Sequence, residues 1–119
     1  MRIMEFRASH RYAHISAKKV RLTANLIRGL DVNRALEVLS VTTTRGSSMF
    51  NKVLRSAVAN ASQNDGVDVN SLFVSEARVD EGPLIHGRAR FRPGAMGRAM
   101  PIRRRTSHLK LTVTEREAN

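Results

Sequence analysis

The sequence predicts an α+β fold, with three helices packed on a small antiparallel sheet and a long basic β-hairpin protruding from it. Three observations lead there. Apolar residues recur at three- and four-residue spacing through the first half of the 119-residue chain and at two-residue spacing near its two ends. Helical segments are grouped first and strand segments later, which suits helices covering one face of an antiparallel sheet. Residues 84–114 hold eight Lys or Arg and no Asp or Glu. At this length one domain is expected over residues 1–119, with a globular part at about 1–82 and 108–119 and an extended hairpin at about 83–107.

Each element has its own signal. Ile3 to Ala8 alternates, with Met4, Phe6 and Ala8 on one side and Glu5 and Arg7 on the other, and reads as a strand. Ser16 then offers an N-cap oxygen to a helix running to Gly29, which suits a left-handed terminal position. In that helix Val20, Ala24 and Ile27 share one face, and Lys18, Arg21 and Arg28 gather on another. Asp31 is positioned to cap a short second helix carrying Ala35, Leu36 and Leu39, which the β-branched run Val41-Thr42-Thr43-Thr44 ends. Met49, Phe50, Val53, Leu54, Ala57, Val58 and Ala61 form the strongest helical repeat and predict the central core helix, ending near Asn64-Asp65-Gly66. Leu72 to Asp80 reads as a strand with weak alternation. His108 to Thr114 alternates cleanly and is expected to bury Leu109, Leu111 and Val113.

Charge is more telling than any single motif. The chain has 21 Lys and Arg against 10 Asp and Glu, a formal +11, and Arg outnumbers Lys by 17 to 4. The planar guanidinium fork suits phosphate, so a polyanion is the expected partner. The excess is segregated. Residues 1–30 carry seven basic groups and one acid, whereas 31–83 carry five basic groups and seven acids. A near-neutral scaffold thus bears a basic edge and a basic appendage. The absence of Cys excludes disulfides, thiolate zinc sites, iron–sulfur clusters and a thiol nucleophile. No apolar run approaches the roughly 20 residues that span a bilayer, and the N-terminus lacks the apolar run of a secretory signal.

The stretch from Pro83 to Ser107 is too long for an ordinary structureless loop. Pro93-Gly94 supplies a type II turn signal, and folding about it makes one hairpin whose arms reach on the order of 35 Å. Its seven arginines repel one another and it holds few large apolar side chains, so either it is disordered in isolation or a partner neutralises and orders it. Polyphosphate fits, because each contact releases counterions and each Arg can pair two oxygens.

Catalytic chemistry is not expected. His10 and His14 are four apart but precede the helix and have no third ligand nearby, so no metal site follows. Glu76 and Asp80 share a strand face beside Arg78, the setting of solvated surface acids. Ser107 and His108 point to opposite strand faces. Aromatic residues make up 4% of the chain, and of these Phe91 is the one read in a basic context, so recognition by shape and backbone is expected over base-by-base readout.

Several pieces, in order, resemble a known family: Ser16-Ala17-Lys18-Lys19-Val20-Arg21-Leu22, Leu26-Ile27-Arg28-Gly29, Lys52 to Ala61, Val79-Asp80-Glu81-Gly82-Pro83, and Gly97-Arg98-Ala99 leading to Arg105-Thr106-Ser107-His108. Together they resemble the bacterial-type twenty-second protein of the large ribosomal subunit. The resemblance implies a structural, non-enzymatic constituent of the cytoplasmic ribosome without cofactor or metal. It would bind large-subunit ribosomal RNA and neighbouring ribosomal proteins and assist early subunit assembly. Its hairpin would line the exit tunnel, near the constriction where macrolides bind, and so meet the nascent polypeptide. Neither membrane association nor a homo-oligomer is implied. Carried onto this chain, the RNA-binding set is Arg7, Arg11, Lys18, Lys19, Arg21, Arg88, Arg90, Arg92, Arg98, Arg103, Arg104, Arg105, Thr106, Ser107 and His108. The tunnel-facing tip is Phe91, Arg92, Pro93, Gly94, Ala95 and Met96.

This chain departs from the family pattern in two places. Leu84-Ile85-His86-Gly87-Arg88 is about three residues longer than the usual lead-in, and Gly94 and Met100-Pro101 replace more basic or polar steps. Pro101 lacks a ladder donor and is expected to bend or bulge the returning arm. Two other functions compete. An architectural DNA-binding protein also uses proline-tipped basic β-arms, but as a dimer that bends duplexes through the minor groove. A small nucleic-acid enzyme would need the carboxylate cluster that the sequence lacks.

Overall fold

The computed structural model describes residues 4–64, 66–84, 90–93, 97, 99–102 and 105–115. Strand β1 (Glu5–Ala13) is followed by helices α1 (Ala17–Ile27), α2 (Val32–Val41) and α3 (Arg45–Ser62). A 3-10 turn at Val69–Ser71 leads into β2 (Leu72–Leu84), then β3 (Arg90–Pro93), β4 (Ala99–Ile102) and β5 (Arg105–Glu115). The α+β expectation is met: three helices cover one face of an antiparallel sheet ordered β1-β5-β2, while β3 and β4 pair as a separate two-stranded ribbon.

Strand β5 lies in the middle because its apolar alternation is the cleanest. Leu109, Leu111 and Val113 are buried beneath the helices, and neighbouring strands flank it on both sides. The predicted core stripes of the helices meet them: Val20, Ala24 and Ile27 of α1, Ala35 and Leu39 of α2, and Phe50, Leu54, Ala57 and Ala61 of α3 are all buried. Leu36, Met49 and Val58 pack at the margin of this core.

The weak alternation of β2 has a local cause. Val74 pairs with Val113 and Glu76 with Thr112, so Ser75 is an extra residue on the edge strand. The bulge shifts the pleat by one, and Leu72 and Val74 before it share the buried face with Ala77 and Val79 after it. Ser75 spends its hydroxyl on the bulge, donating to the Thr112 carbonyl at 3.2 Å.

Four expectations need correcting. Strand β1 runs five residues past Ala8 to Ala13, because β5 continues to Arg105 and offers ladder partners that a polar run such as His10-Arg11-Tyr12 does not advertise. Ser16 takes the N-cap position of α1, yet its side chain makes no capping bond. The hairpin does not reverse at Pro93-Gly94. Pro93 pairs with Ala99, and Arg90 with Ile102, so the reversal lies between Pro93 and Ala99.

Pro101 does not interrupt the returning arm either, since the register of β3 and β4 is continuous across its pairing with Phe91. Pro93 and Pro101 occupy register positions of the same parity. A ladder bonded through Arg90–Ile102 and Arg92–Met100 asks neither proline for an N–H. The slip falls lower: between the Leu84↔Arg105 and Arg90↔Ile102 pairs, the outgoing side holds five residues, 85–89, and the returning side two, 103–104. The molecule is elongated, 68 × 26 × 18 Å, with a radius of gyration of 17.8 Å. A compact chain of this length would have about 13.5 Å.

Candidate nucleic-acid interface

The exposed cations divide by whether a carboxylate already holds them. On the open face of the sheet Arg78 Nε donates to Asp80 at 3.0 Å, and Lys110 Nζ stands 3.2 Å from the other Asp80 oxygen. The hydrogen bond from Arg78, then that from Lys110, holds the Asp80 carboxyl below the usual carboxylate range, while Asp80 pushes the Arg78 guanidinium up. Glu76 lies 3.8 Å from Arg78, and Arg7 is 3.7 Å from Glu5. Arg7, Ser9, Glu76, Arg78, Lys110 and Thr112 line a shallow concavity of about 400 Å³ whose charges are largely matched within the protein.

The basic side of α1 divides in the same way. Strand β2 is a sheet edge and presents carbonyls with no strand partner. Arg28 donates from Nε and Nη2 to the Ala77 carbonyl, at 3.0 and 2.6 Å, and Arg21 donates from Nη2 to the Val79 carbonyl at 3.2 Å. Both arginines therefore bind helix to sheet, although each remains exposed. Lys18 and Lys19 are exposed on the next turn, and neither forms an ion pair among the described residues.

Where the hairpin leaves the sheet, four expected contact residues have different fates. Arg105 is exposed, Thr106 and Ser107 are buried, and His108 is half-buried. Thr106 donates its hydroxyl to the Pro83 carbonyl at 2.5 Å, and Ser107 donates to the Ile15 carbonyl at 2.6 Å. These two hydroxyls thus pin β5 to the start of the hairpin and to the β1–α1 connection. His108 Nδ1 accepts the Tyr12 backbone N–H at 3.0 Å. Gly82 makes the close approach possible: a Cβ there would lie 2.5 Å from Thr106 Oγ1 and 3.3 Å from His108 Nε2.

Among the remaining candidates, Arg7 and Arg11 are exposed on β1. Arg90, Phe91, Arg92 and Pro93 form β3, while Arg88, Gly94, Ala95, Met96, Arg98, Arg103 and Arg104 lie outside the described residues. Reading charge by segment missed one group. Arg45, Lys52 and Arg55 of α3 are exposed and form no ion pair among the described residues, but the net acidity of 31–83 hid them. Lys52 and Arg55 line a hydroxyl-rich groove with Ser48, Asn51 and the end of α2. The signal that would have found them is their three-residue spacing on the solvent side of a core helix.

His10 lies in β1 and His14 follows it, so their four-residue spacing is not helical. Among the described residues no group of three or more His, Asp or Glu could hold a metal ion. Among the described residues no helix is long and apolar enough to cross a membrane. A family model described as ribosomal protein L22p/L17e matches residues 8–114, which takes in every described element except the first residues of β1 and the last of β5.

Proposed function

From the premise that this chain belongs to the ribosomal protein L22p/L17e family, we propose that it anchors its globular part on ribosomal RNA through unpaired cations and extends its hairpin along the polypeptide exit tunnel. Members are structural rather than enzymatic components of the large subunit of the cytoplasmic ribosome and bind its RNA, and this chain is such a component. The observation that carries the finer reading is the run of eight basic residues without an acid across 84–114, on a molecule 68 Å long. An arm that carries no acid of its own leaves its cations to external phosphate.

In this reading Arg11, Lys18, Lys19 and Arg105, exposed and without an ion pair among the described residues, take phosphates beside the hairpin root, with Arg7 and Arg21 at its margins. The arm arginines Arg88, Arg90, Arg92, Arg98, Arg103 and Arg104 hold RNA along the hairpin. Phe91 to Met96 meet the nascent polypeptide, and His108, Thr106 and Ser107 set the angle at which the hairpin departs. Binding as a monomer, association with neighbouring ribosomal proteins, a part in early subunit assembly and membership of the bacterial-type branch complete the proposal, supported by the sequence resemblance.

Two measurements test it. Alanine at Lys18, Lys19 or Arg105 is expected to weaken binding to large-subunit RNA and to flatten the salt dependence by roughly 0.7–0.9 of a logarithmic unit for each phosphate the variant no longer neutralises. An unchanged slope across the series refutes the anchoring role. Because the chain has no cysteine, a Met96→Cys variant carries one thiol for crosslinking in ribosomes with a stalled nascent chain. Crosslinks to the nascent chain are expected, and their absence in assembled ribosomes rejects the tunnel position.

A further inference from the structure

Tyr12 has a positive φ of 57°, the one such angle outside glycine among the described residues. A bulky side chain disfavours this left-handed state, and residues held in it are concentrated at functional sites. The cause is local. His10 pairs with Leu109 and Ala13 with Ser107, so Arg11 and Tyr12 together oppose His108 in a bulge. The Tyr12 N–H turns to His108 Nδ1 at 3.0 Å, and its ring meets the imidazole edge to face, with centroids 4.7 Å apart and planes at 89°. The Arg11 guanidinium lies over the Tyr12 ring, 5.5 Å from its centroid.

Packing does not account for a tyrosine here. The residue stays 52% exposed, its ring is outside the hydrophobic core, and Asn or Gly adopts this backbone state at lower cost. Its hydroxyl has no hydrogen-bond partner among the described residues. What the bulge achieves is to hold a half-exposed aromatic plane beside an arginine that no carboxylate neutralises among the described residues, at the root of the basic hairpin. An aromatic plane beside a free guanidinium is the chemistry that receives a single unstacked base: the ring stacks on it and the arginine pairs its phosphate.

We propose that Tyr12, held by His108 and flanked by Arg11, is a stacking site for one unpaired base of RNA. This rests on the RNA-binding reading given above, but it adds a base contact to an interface otherwise built on phosphates. An acidic protein segment would equally satisfy Arg11 but would gain nothing from the face of the ring.

The test uses the full chain and three variants. Tyr12→Phe keeps the ring and is expected to bind a large-subunit RNA transcript within about twofold of wild type. Tyr12→Asn suits the backbone but removes the ring, and is expected to bind at least about tenfold more weakly with an unchanged salt slope, since every phosphate keeps its cation. Arg11→Ala is expected to flatten the slope. Tyr12 is the sole tyrosine, and tryptophan is absent, so isotope-labelled tyrosine gives one set of ring resonances. Single-stranded RNA is expected to move them upfield, and a blunt duplex of equal length to leave them in place. Equal affinity of Tyr12→Asn, or identical ring shifts with single strand and duplex, overturns the stacking site. Loss of wild-type binding to the transcript at every salt concentration would instead overturn the RNA-binding reading itself. Ring shifts produced by an acidic peptide but not by RNA would assign the site to a protein.

Discussion

Replacing Ser107 with alanine separates a structural role from an RNA-contacting one at the base of the hairpin. The hydroxyl is fully buried and donates to the Ile15 carbonyl at 2.6 Å, linking the central strand to the segment that enters α1. Removing the donor forfeits one hydrogen bond and leaves a carbonyl of a buried residue short of a partner, a combined cost of about 1–3 kcal/mol. The lower half of that range applies, because a carbonyl has a second lone pair and the alanine leaves only a small void. Unfolding entropy near 2.1 cal/mol/K per residue gives roughly 250 cal/mol/K for 119 residues, so about 1–2 kcal/mol lowers Tm by about 4–8 °C. Urea titration should show the midpoint falling with the slope unchanged. RNA affinity, measured well below the transition, should retain its value and its salt dependence. An unchanged Tm together with weaker RNA binding at every salt concentration, the salt slope itself unchanged because no cation is lost, would refute the reasoning and return Ser107 to direct contact with RNA.

Three further outcomes follow from the same geometry. Joining Leu84 to Arg105, which already pair, through Asn-Gly in place of 85–104 should leave cooperative unfolding intact. Its radius of gyration should fall from 17.8 Å to about 13 Å in solution scattering, and loss of the transition would show that the hairpin supports the core. Gly82→Ala should destabilise by about 1–3 kcal/mol, because its Cβ would stand 2.5 Å from the Thr106 hydroxyl that binds Pro83. Thermal unfolding at the wild-type temperature would contradict that crowding. Asp80→Asn removes a carboxylate whose folded-state pKa is depressed by Arg78 and Lys110. The wild-type advantage should therefore be present above the ordinary carboxylate range and disappear as pH falls through the folded-state value, shrinking also with salt. A pH-independent difference would mean that packing, not charge, distinguishes the two.

Sequence periodicity carries far in this protein where one face of an element is buried. The stripes from Val20 to Ile27, from Phe50 to Ala61 and from Leu109 to Val113 all occupy the core, since burial rewards one period and penalises every other. It fails where register, rather than polarity, decides the outcome. The Ser75 bulge shifts the pleat of β2, and the polar continuation of β1 to Ala13 exists because β5 supplies partners opposite it. The turn signal at Pro93-Gly94 is real chemistry in the wrong place, for Pro93 is paired with Ala99.

The candidate interface divides along a similar line. Which residues are cationic, and that 84–114 lacks any acid, is composition, and composition suffices to point to a polyanion. Which cations are already spent is a matter of distance. Arg21 and Arg28 lie on one helix face with Lys18, yet two of the three are drawn to edge-strand carbonyls nearly fifty or more positions away. Thr106 and Ser107 belong to a motif that resembles an RNA-binding one, but their hydroxyls turn inward. Tyr12 gained its setting from a bulge opposite His108, 96 positions distant in the chain. Hydrophobic pattern and charge are sums over neighbours in sequence, so the chain alone determined the α+β class and the anionic partner. Hydrogen bonds and ion pairs depend on partners brought together by folding, so the tertiary structure alone decided which side chains are left to meet that partner.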